Sequence, residues 1–262
     1  MSRKMLFFDI DGTLFSEIDR QVPSSAVLAL KKARENGHLV FINTGRTYCQ
    51  TKGIRSAVEA DGLLCGCGTY LVEDDSVLYN RVIPKDRRKE IKTAVVSCNL
   101  EAVLEGVGSC TMQAHLSRIP QMEWMRGFFK GEDAFAPNGW NDDEFEFSKF
   151  CVLTDEKGDK EALFKTLPDF HIIDRGGDFY ECVPQGHSKA TAIEFMLKKH
   201  GIDKSDAWVF GDSMNDLSMF EYSENAVLMG HHDEGLEPYA TFVTKTVEED
   251  GIRYAMEKLG MI

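Results

Sequence analysis

Phe7-Phe8-Asp9-Ile10-Asp11-Gly12-Thr13-Leu14 is the stretch that decides the fold of this chain. It continues an apolar run that begins at Met5, and such a run is typical of a buried strand in a parallel sheet. The run ends in two carboxylates, Asp9 and Asp11. Ligands of open parallel sheets bind outside the carboxyl ends of the strands, so both acids should lie at the lip of a crevice. Two like charges so close are unfavourable unless a cation or a proton separates them.

Outward from this strand, helix and strand signals alternate, which predicts an α/β fold with a doubly wound, mostly parallel sheet. A helix should begin at an N-cap Ser24 or Ser25 and stop at Gly37. The further predictions before residue 84 are a strand at 39–42, a helix at 47–58, a short strand at 63–64 and a hairpin at 69–83.

The pattern changes between residues 84 and 183, which predicts an inserted α+β cap domain. Its expected elements are a helix at 85–105, strands at 150–153, 171–174 and 179–183, and a helix at 160–167; residues 106–148 give no clear pattern. The discontinuous core is assigned residues 1–83 and 184–262. After Gly186 the alternation returns, with helices at 188–201, 214–222 and 247–259 and strands at 207–210, 226–229 and 241–244.

Composition excludes several classes of partner. The 262 residues carry a net charge of −13, and this acidity argues against nucleic acid as the main partner. No apolar stretch approaches the roughly 20 residues of a membrane span, and the first residues offer no signal-peptide core. The seven cysteines are scattered and lack the usual metal or redox spacing. We therefore expect a cytoplasmic protein with reduced thiols.

The pair of acids at Asp9 and Asp11 allows three interpretations. A calcium loop fails, because Leu14 stands at the position of the required glycine and Arg20 at that of the closing glutamate. A plain Asp-Gly turn is possible, but it leaves two acids at the end of an apolar strand without a use. We favour a nucleophilic carboxylate beside an acid/base group, which needs a metal to keep both ionised.

A second acidic cluster, Gly211-Asp212-Ser213-Met214-Asn215-Asp216, follows another apolar strand. Ser213 and Asp216 alone are explained by a capping box for the next helix. That interpretation leaves Asp212 and Asn215 unexplained. Beside Asp9 and Asp11, Asp212 would complete a hard oxygen site suited to Mg²⁺.

Two further positions become candidates by their placement. A third strand is followed by Thr44-Gly45-Arg46. A hydroxyl and free backbone N–H groups at this position can bind phosphate. An ordinary capped turn explains the tripeptide by itself equally well. Lys189 lies in the first turn of a helix, where a cation is unfavourable. An exposed lysine is the simpler explanation, but beside four carboxylates Lys189 would balance charge and contact phosphate.

Taken together and in this order, Asp9-x-Asp11-Gly-Thr, Thr44-Gly-Arg, Lys189 and Gly211-Asp212-x-x-Asn215-Asp216 resemble the haloacid dehalogenase superfamily. The inserted block makes the chain similar to its Cof-type phosphatases. The resemblance implies that Asp9 is the nucleophile and Asp11 the acid/base. It implies that Thr44, Gly45, Lys189 and Asn215 hold the phosphoryl group, and that Asp9, the Asp11 carbonyl, Asp212 and Asp216 lie around Mg²⁺.

The resemblance implies a magnesium-dependent phosphatase of a small phosphorylated metabolite, such as a sugar phosphate, a nucleotide or a cofactor phosphate. Two alternatives stay open: a phosphomutase of the same superfamily, and a binding protein that accepts phosphate without turnover. Aspartate at position 11 favours phosphatase over dehalogenase, because halide displacement needs no proton donor there. The turn Cys65–Thr69 departs from the Asn-Gly-Ala-like turn of the family.

Overall fold

The structure is a computed structural model that describes residues 3–262. Its strands are β1 Met5–Phe8, β2 Leu39–Asn43, β3 Gly62–Cys65, β4 Tyr70–Glu73, β5 Ser76–Asn80, β6 Glu101–Glu105, β7 Cys110–Met112, β8 Lys149–Leu153, β9 Phe170–Asp174, β10 Phe179–Pro184, β11 Ala207–Gly211, β12 Asn225–Leu228 and β13 Phe242–Val243. Its α-helices are α1 Ser24–Glu35, α2 Lys52–Ala57, α3 Lys85–Ser97, α4 Pro120–Gly131, α5 Lys160–Lys165, α6 Lys189–His200, α7 Leu217–Tyr222 and α8 Gly251–Lys258. Short 3₁₀ turns include Tyr48–Thr51 and Met214–Asp216.

The larger sheet has the strand order β13-β12-β11-β1-β2-β3-β4-β5. The pairs from β13 to β3 are parallel, and β3 and β4 are antiparallel. Strand β1 is central: Phe8 is in register with Phe210 of β11 on one side and with Ile42 of β2 on the other. The carboxyl ends of these three strands therefore meet at one edge of the sheet.

Helices cover both faces of this sheet, because the side chains of β1 alternate between two hydrophobic clusters. Leu6 and Phe8 pack against residues of α1 and α8. Met5 and Phe7 pack against residues of α6 and α7. Each of these four side chains is fully buried and contributes roughly 2 kcal/mol by leaving water. The prediction of a doubly wound, mostly parallel sheet is confirmed.

The second sheet has five antiparallel strands in the order β7-β6-β8-β10-β9. One face carries an apolar cluster that includes side chains of α3 and α5. The opposite face is partly polar: Glu105, Lys149 and Glu181 project from neighbouring strands and are buried together. A separate apolar cluster on this face includes Met122 and Phe129 of α4. The prediction of an additional α+β body is confirmed by this arrangement.

The chain divides into two compact units. One contains the described residues up to Gly45, together with Gly53–Leu78 and Ser188–Ile262; the other contains Arg46–Lys52 and Tyr79–His187. The chain thus passes into the second unit between Gly45 and Arg46 and returns after Lys52. The predicted bounds, a core of 1–83 and 184–262 and a cap of 84–183, differ from the bounds of these two units. The assignment of the units as core and cap stays a prediction.

Three local predictions are wrong. The expected helix at 247–259 begins only at Gly251, after Asp250 in a left-handed conformation with φ of 61°. The expected helix at 85–105 ends at Ser97, because Asn99 adopts a left-handed conformation with φ of 57°, and residues 101–105 form β6. Ser24 and Ser25 lie inside α1, which begins after Pro23 without a side-chain cap.

Among residues 3–262, no helix combines the length and apolar character that a membrane crossing requires. The expectation about the N-terminal segment falls partly on residues 1–2, outside the described residues.

Candidate active site

Three parallel strands deliver the predicted site residues to one edge of the larger sheet. Asp9 follows β1, Thr44 follows β2, and Asp212 follows β11. The backbone continues the ladder beyond the strand, since the Asp9 N–H donates to the Phe210 carbonyl over 3.0 Å. Asp9 is 3% exposed, although a carboxylate is rarely buried without a partner.

Lys189 is the partner of Asp9. Its Nζ lies 2.7 Å from Asp9 Oδ1 and 2.5 Å from Asp216 Oδ1, and its side chain is fully buried. Ser188 holds the start of α6 through a capping box with Thr191. The cost of a cation in the first turn is offset by two carboxylates at ion-pair distance. The interpretation of Lys189 as an exposed lysine is wrong.

The electrostatics of this cluster are dominated by burial and by repulsion between acids. Burial raises the pKa of Asp9; Lys189 opposes this, and the carboxylates of Asp216 and Asp11 add to it. Burial also raises the pKa of Asp212, with further contributions from Asp216 and Asp9. Burial would lower the pKa of Lys189, but Asp216 and Asp9 raise it instead. The carboxylates of Asp9, Asp212 and Asp216 therefore carry more negative charge than the single positive charge of Lys189 neutralises.

Asp212 and Asp216 are held by the turn that follows β11. Asp216 Oδ2 accepts the backbone N–H groups of Asp212, at 2.9 Å, and of Ser213, at 3.2 Å. Ser213 and Asp216 form the predicted capping box. Asp212 Oδ1 accepts a hydrogen bond of 2.7 Å from the buried hydroxyl of Thr13. Both carboxylates are thus oriented by neighbouring groups, which preorganises them for a ligand.

The carboxylates fit a divalent cation. One oxygen from each of Asp9, Asp212 and Asp216 lies within 4.8 Å of the others. Carboxylate oxygens are the donors that Mg²⁺ prefers, and a cation relieves the repulsion between acids that face one another. Gly12 packs directly against the Asp212 carboxylate. Its backbone φ is +75°, and a Cβ at this position would lie 2.3 Å from Asp212 Oδ2. Position 12 therefore requires glycine for both conformation and space.

The other predicted residues follow the ends of the same three strands and differ in burial. Asp11 is half-buried, and its charge reaches Asp9. Thr44 is buried; its carbonyl accepts from the Cys67 N–H over 3.0 Å. Gly45 is half-buried, the last residue before the chain enters the second unit. Asn215 is half-buried, and its Oδ1 accepts from Ser213 Oγ over 3.0 Å.

The unusual turn at 65–69 lies against this site. The backbone at Gly68 has φ of +85°, and a Cβ there would approach the Ser188 carbonyl to 2.6 Å. Because Cys67 contacts Thr44 and Gly68 contacts Ser188, the turn links the end of β2 to the start of α6. Glycine at position 68 permits this close packing.

Two positioning residues were not among the predicted site residues. Thr13 was quoted within the first motif but given no role, and it is the hydroxyl that orients Asp212. Asn43 is fully buried at the end of β2, and its Nδ2 donates to the Lys189 carbonyl over 3.0 Å. A polar residue ending an apolar strand was the available signal for Asn43.

The chain is similar to known proteins over nearly its whole length. The family model described as haloacid dehalogenase-like hydrolase matches residues 6–256. "Putative phosphatase YkrA" of Bacillus subtilis (strain 168) is 29% identical, with 100% of both chains covered. The 5-amino-6-(5-phospho-D-ribitylamino)uracil phosphatase YwtE of the same organism is 24% identical, with 98% of each chain covered.

One solved structure is similar to this chain over nearly the full length of both. The HAD subclass IIB sugar phosphatase BT4131 is 25% identical and superposes with a TM-score of 0.82, covering 99% of this chain and 100% of that one.

Proposed function

The chain belongs to the haloacid dehalogenase-like hydrolase family and is a phosphatase; we propose that it releases phosphate from small phosphorylated metabolites through an aspartyl-phosphate on Asp9, with Mg²⁺ as cofactor. The observation that carries the proposal is the buried cluster of Asp9, Lys189, Asp212 and Asp216, whose acids exceed its resident positive charge. A site with this imbalance favours a divalent cation, and the cation with Lys189 favours an anionic substrate.

In the proposed first step, a carboxylate oxygen of Asp9 attacks phosphorus. The bond from phosphorus to the ester oxygen breaks, and Asp11 donates a proton to that leaving oxygen. Asp9 is fixed by β1 and by Lys189, while Asp11 is half-buried on the loop beyond it. A fixed nucleophile beside a more accessible acid is the arrangement that in-line phosphoryl transfer needs.

In the second step, Asp11 takes a proton from a water molecule, which attacks phosphorus and releases inorganic phosphate from Asp9. Lys189, the Thr44 hydroxyl, the Gly45 N–H and the Asn215 amide are assigned to hold the phosphoryl oxygens in both steps. Phosphoryl transfer depends on positioning and charge neutralisation more than on covalent chemistry, so this short set of residues suffices.

Asp9, the Asp11 carbonyl and Asp212 are proposed to bind Mg²⁺, with Asp216 beside them. When bound, the cation neutralises negative charge on the carboxylates and on the phosphoryl group. Thr13 keeps Asp212 in position for this role, since its hydroxyl donates to Oδ1. Asp216 also contacts Lys189, so it joins the metal site to the lysine.

The test is phosphate release from a panel of sugar phosphates, nucleotides, cofactor phosphates and 5-amino-6-(5-phospho-D-ribitylamino)uracil, with Mg²⁺ and with chelator. We expect release from at least one member that chelator abolishes. Asp9→Asn should retain its fold and lose turnover. Asp203→Asn is the matched control, because Asp203 is exposed and caps a remote 3₁₀ turn. Full activity of Asp9→Asn would refute the mechanism.

Asp11→Asn separates the proposed steps. With its acid/base removed, the variant should accumulate phosphate on Asp9 after acid quenching, most clearly with a substrate whose leaving group needs no proton. Transfer of phosphate to a second sugar instead of water would identify a phosphomutase. A stable aspartyl-phosphate in the unaltered chain, without release, would identify a phosphate acceptor that does not turn over.

A further inference from the structure

Two cysteines of the second unit lie in contact. Cys49 belongs to the 3₁₀ turn Tyr48–Thr51, and Cys110 begins β7; their Sγ atoms are 3.8 Å apart. They are 61 positions apart in sequence, so their proximity is a property of the fold and no sequence spacing reveals it. We propose that Cys49 and Cys110 are a thiol pair that a peroxide oxidises to a reversible intramolecular disulfide.

The two thiols have unequal environments. Cys49 is half-buried, whereas Cys110 is fully buried. A hydrogen bond from Cys110 lowers the pKa of Cys49; burial opposes this, and Thr47 adds to the lowering. Burial raises the pKa of Cys110 well above the ordinary value of a thiol. The thiolate is the reactive form, so Cys49 is the first to react and Cys110 is the resolving thiol.

Neighbouring groups hold the pair in place. The Cys110 N–H donates to the Ala134 carbonyl over 2.7 Å, and its carbonyl accepts from the Ala136 N–H over 2.8 Å. The Gln50 side chain lies 3.0 Å from Cys110 Sγ and donates to Glu105 over 2.8 Å. Cys110 is therefore fixed, and Cys49 Sγ lies 3.4 Å from the Gly106 carbonyl and 3.6 Å from Thr47 Oγ1. Formation of a bond of about 2.05 Å requires the sulfurs to approach by less than about 2 Å.

The chemistry balances with a peroxide as the oxidant. The Cys49 thiolate attacks one peroxide oxygen, the O–O bond breaks, and Cys49 becomes a sulfenic acid while hydroxide leaves. Cys110 then attacks the Cys49 sulfur, the S–O bond breaks, and a second hydroxide leaves. The two thiol protons convert both hydroxides to water. With hydrogen peroxide, two thiols become one disulfide and two waters form.

The disulfide would fasten Arg46–Lys52 to β7. This segment directly continues Thr44-Gly45, the turn assigned to phosphate binding. An effect of the disulfide on phosphate binding therefore rests on the proposed function, whereas the formation of the disulfide does not. The crosslink itself lies within the second unit and is independent of catalysis.

The test is to treat the full chain with hydrogen peroxide and to map its disulfides by non-reducing peptide mass spectrometry. We expect a Cys49–Cys110 crosslink with the loss of two hydrogens, reversed by dithiothreitol. Cys49→Ser should abolish it. Cys110→Ser should leave a Cys49 sulfenic acid that dimedone traps. Circular dichroism checks that each variant is folded.

Cys98→Ser is the matched control, because Cys98 is also half-buried but burial raises its pKa. That variant should form the crosslink as readily as the unaltered chain. The proposal is overturned if the folded, oxidised chain contains no Cys49–Cys110 peptide. It is also overturned if peroxide converts Cys98 or another thiol while Cys49 stays reduced.

Discussion

Replacing Lys189 by methionine tests the charge balance of the candidate site. The substitution keeps the length of the buried chain but removes the ammonium group that contacts Asp9 at 2.7 Å and Asp216 at 2.5 Å. Breaking a buried ion pair by removing one partner costs about 3–5 kcal/mol, because the remaining charge is uncompensated. Proton uptake by Asp9, whose pKa is already raised, relieves part of this repulsion, so we expect about 3 kcal/mol.

The assay is urea unfolding of Lys189→Met with chelator and with Mg²⁺. The free energy of unfolding should fall by about 3 kcal/mol in chelator. Mg²⁺ should restore part of that loss, because a cation that binds only the folded state stabilises it by mass action. In phosphate release the folded variant should lose roughly 100- to 1,000-fold in turnover, the usual effect of removing one preorganised donor to a developing negative charge.

Lys149→Met is the matched control. Lys149 is also buried between two carboxylates, at 2.8 Å from Glu105 and 2.5 Å from Glu181, but it lies in the other unit. The Lys149→Met variant should lose a comparable free energy of unfolding. Mg²⁺ should stabilise it no more than it stabilises the unaltered chain, and the folded variant should keep its turnover. The reasoning is refuted if Lys189→Met turns over within fivefold of the unaltered chain. It is equally refuted if Lys149→Met is destabilised and Lys189→Met is not.

Three further predictions concern the metal, a helix cap and an ion pair. Gly12→Ala should destabilise the chain by about 1–3 kcal/mol and remove its stabilisation by Mg²⁺, since the new Cβ displaces Asp212; an unchanged melting shift with Mg²⁺ would contradict this. Ser188→Ala should cost about 1 kcal/mol in urea unfolding through loss of the α6 cap, and a loss under 0.2 kcal/mol would contradict it. Burial raises the pKa of Glu73, but hydrogen bonds from Lys199 and His200 lower it overall. A carboxyl with a lowered folded-state pKa stabilises the fold above its unfolded pKa of about 4.3 and loses that contribution as pH falls through the folded value. Glu73→Gln should therefore be less stable than the unaltered chain at pH 7 by about 1 kcal/mol, with a difference that shrinks below pH of about 4; a difference independent of pH would refute it.

The sequence alone determined the elements whose signal is local. The apolar run ending at Asp9 is typical of a buried parallel strand, and β1 forms as predicted. Ser188 and Gly201 bound α6 because capping and left-handed termination depend on a few neighbouring residues. The family and the reaction class were likewise readable, since the four motifs occur in a fixed order along the chain.

Tertiary structure decided what depends on contacts distant in sequence. Residues 101–105 follow a helix in a continuous pattern, and they become β6 because β7 and β8 pair with both edges of the strand. Thr13 acquires a role only when β1 and β11 become neighbours and bring its hydroxyl to Asp212. The sequence placed Lys189 near the carboxylates only through the order of the motifs, and its ion pairs with Asp9 and Asp216 form because α6 packs against the sheet. Local propensity specifies an element, whereas burial, strand pairing and charge balance are set by residues that only the fold brings together.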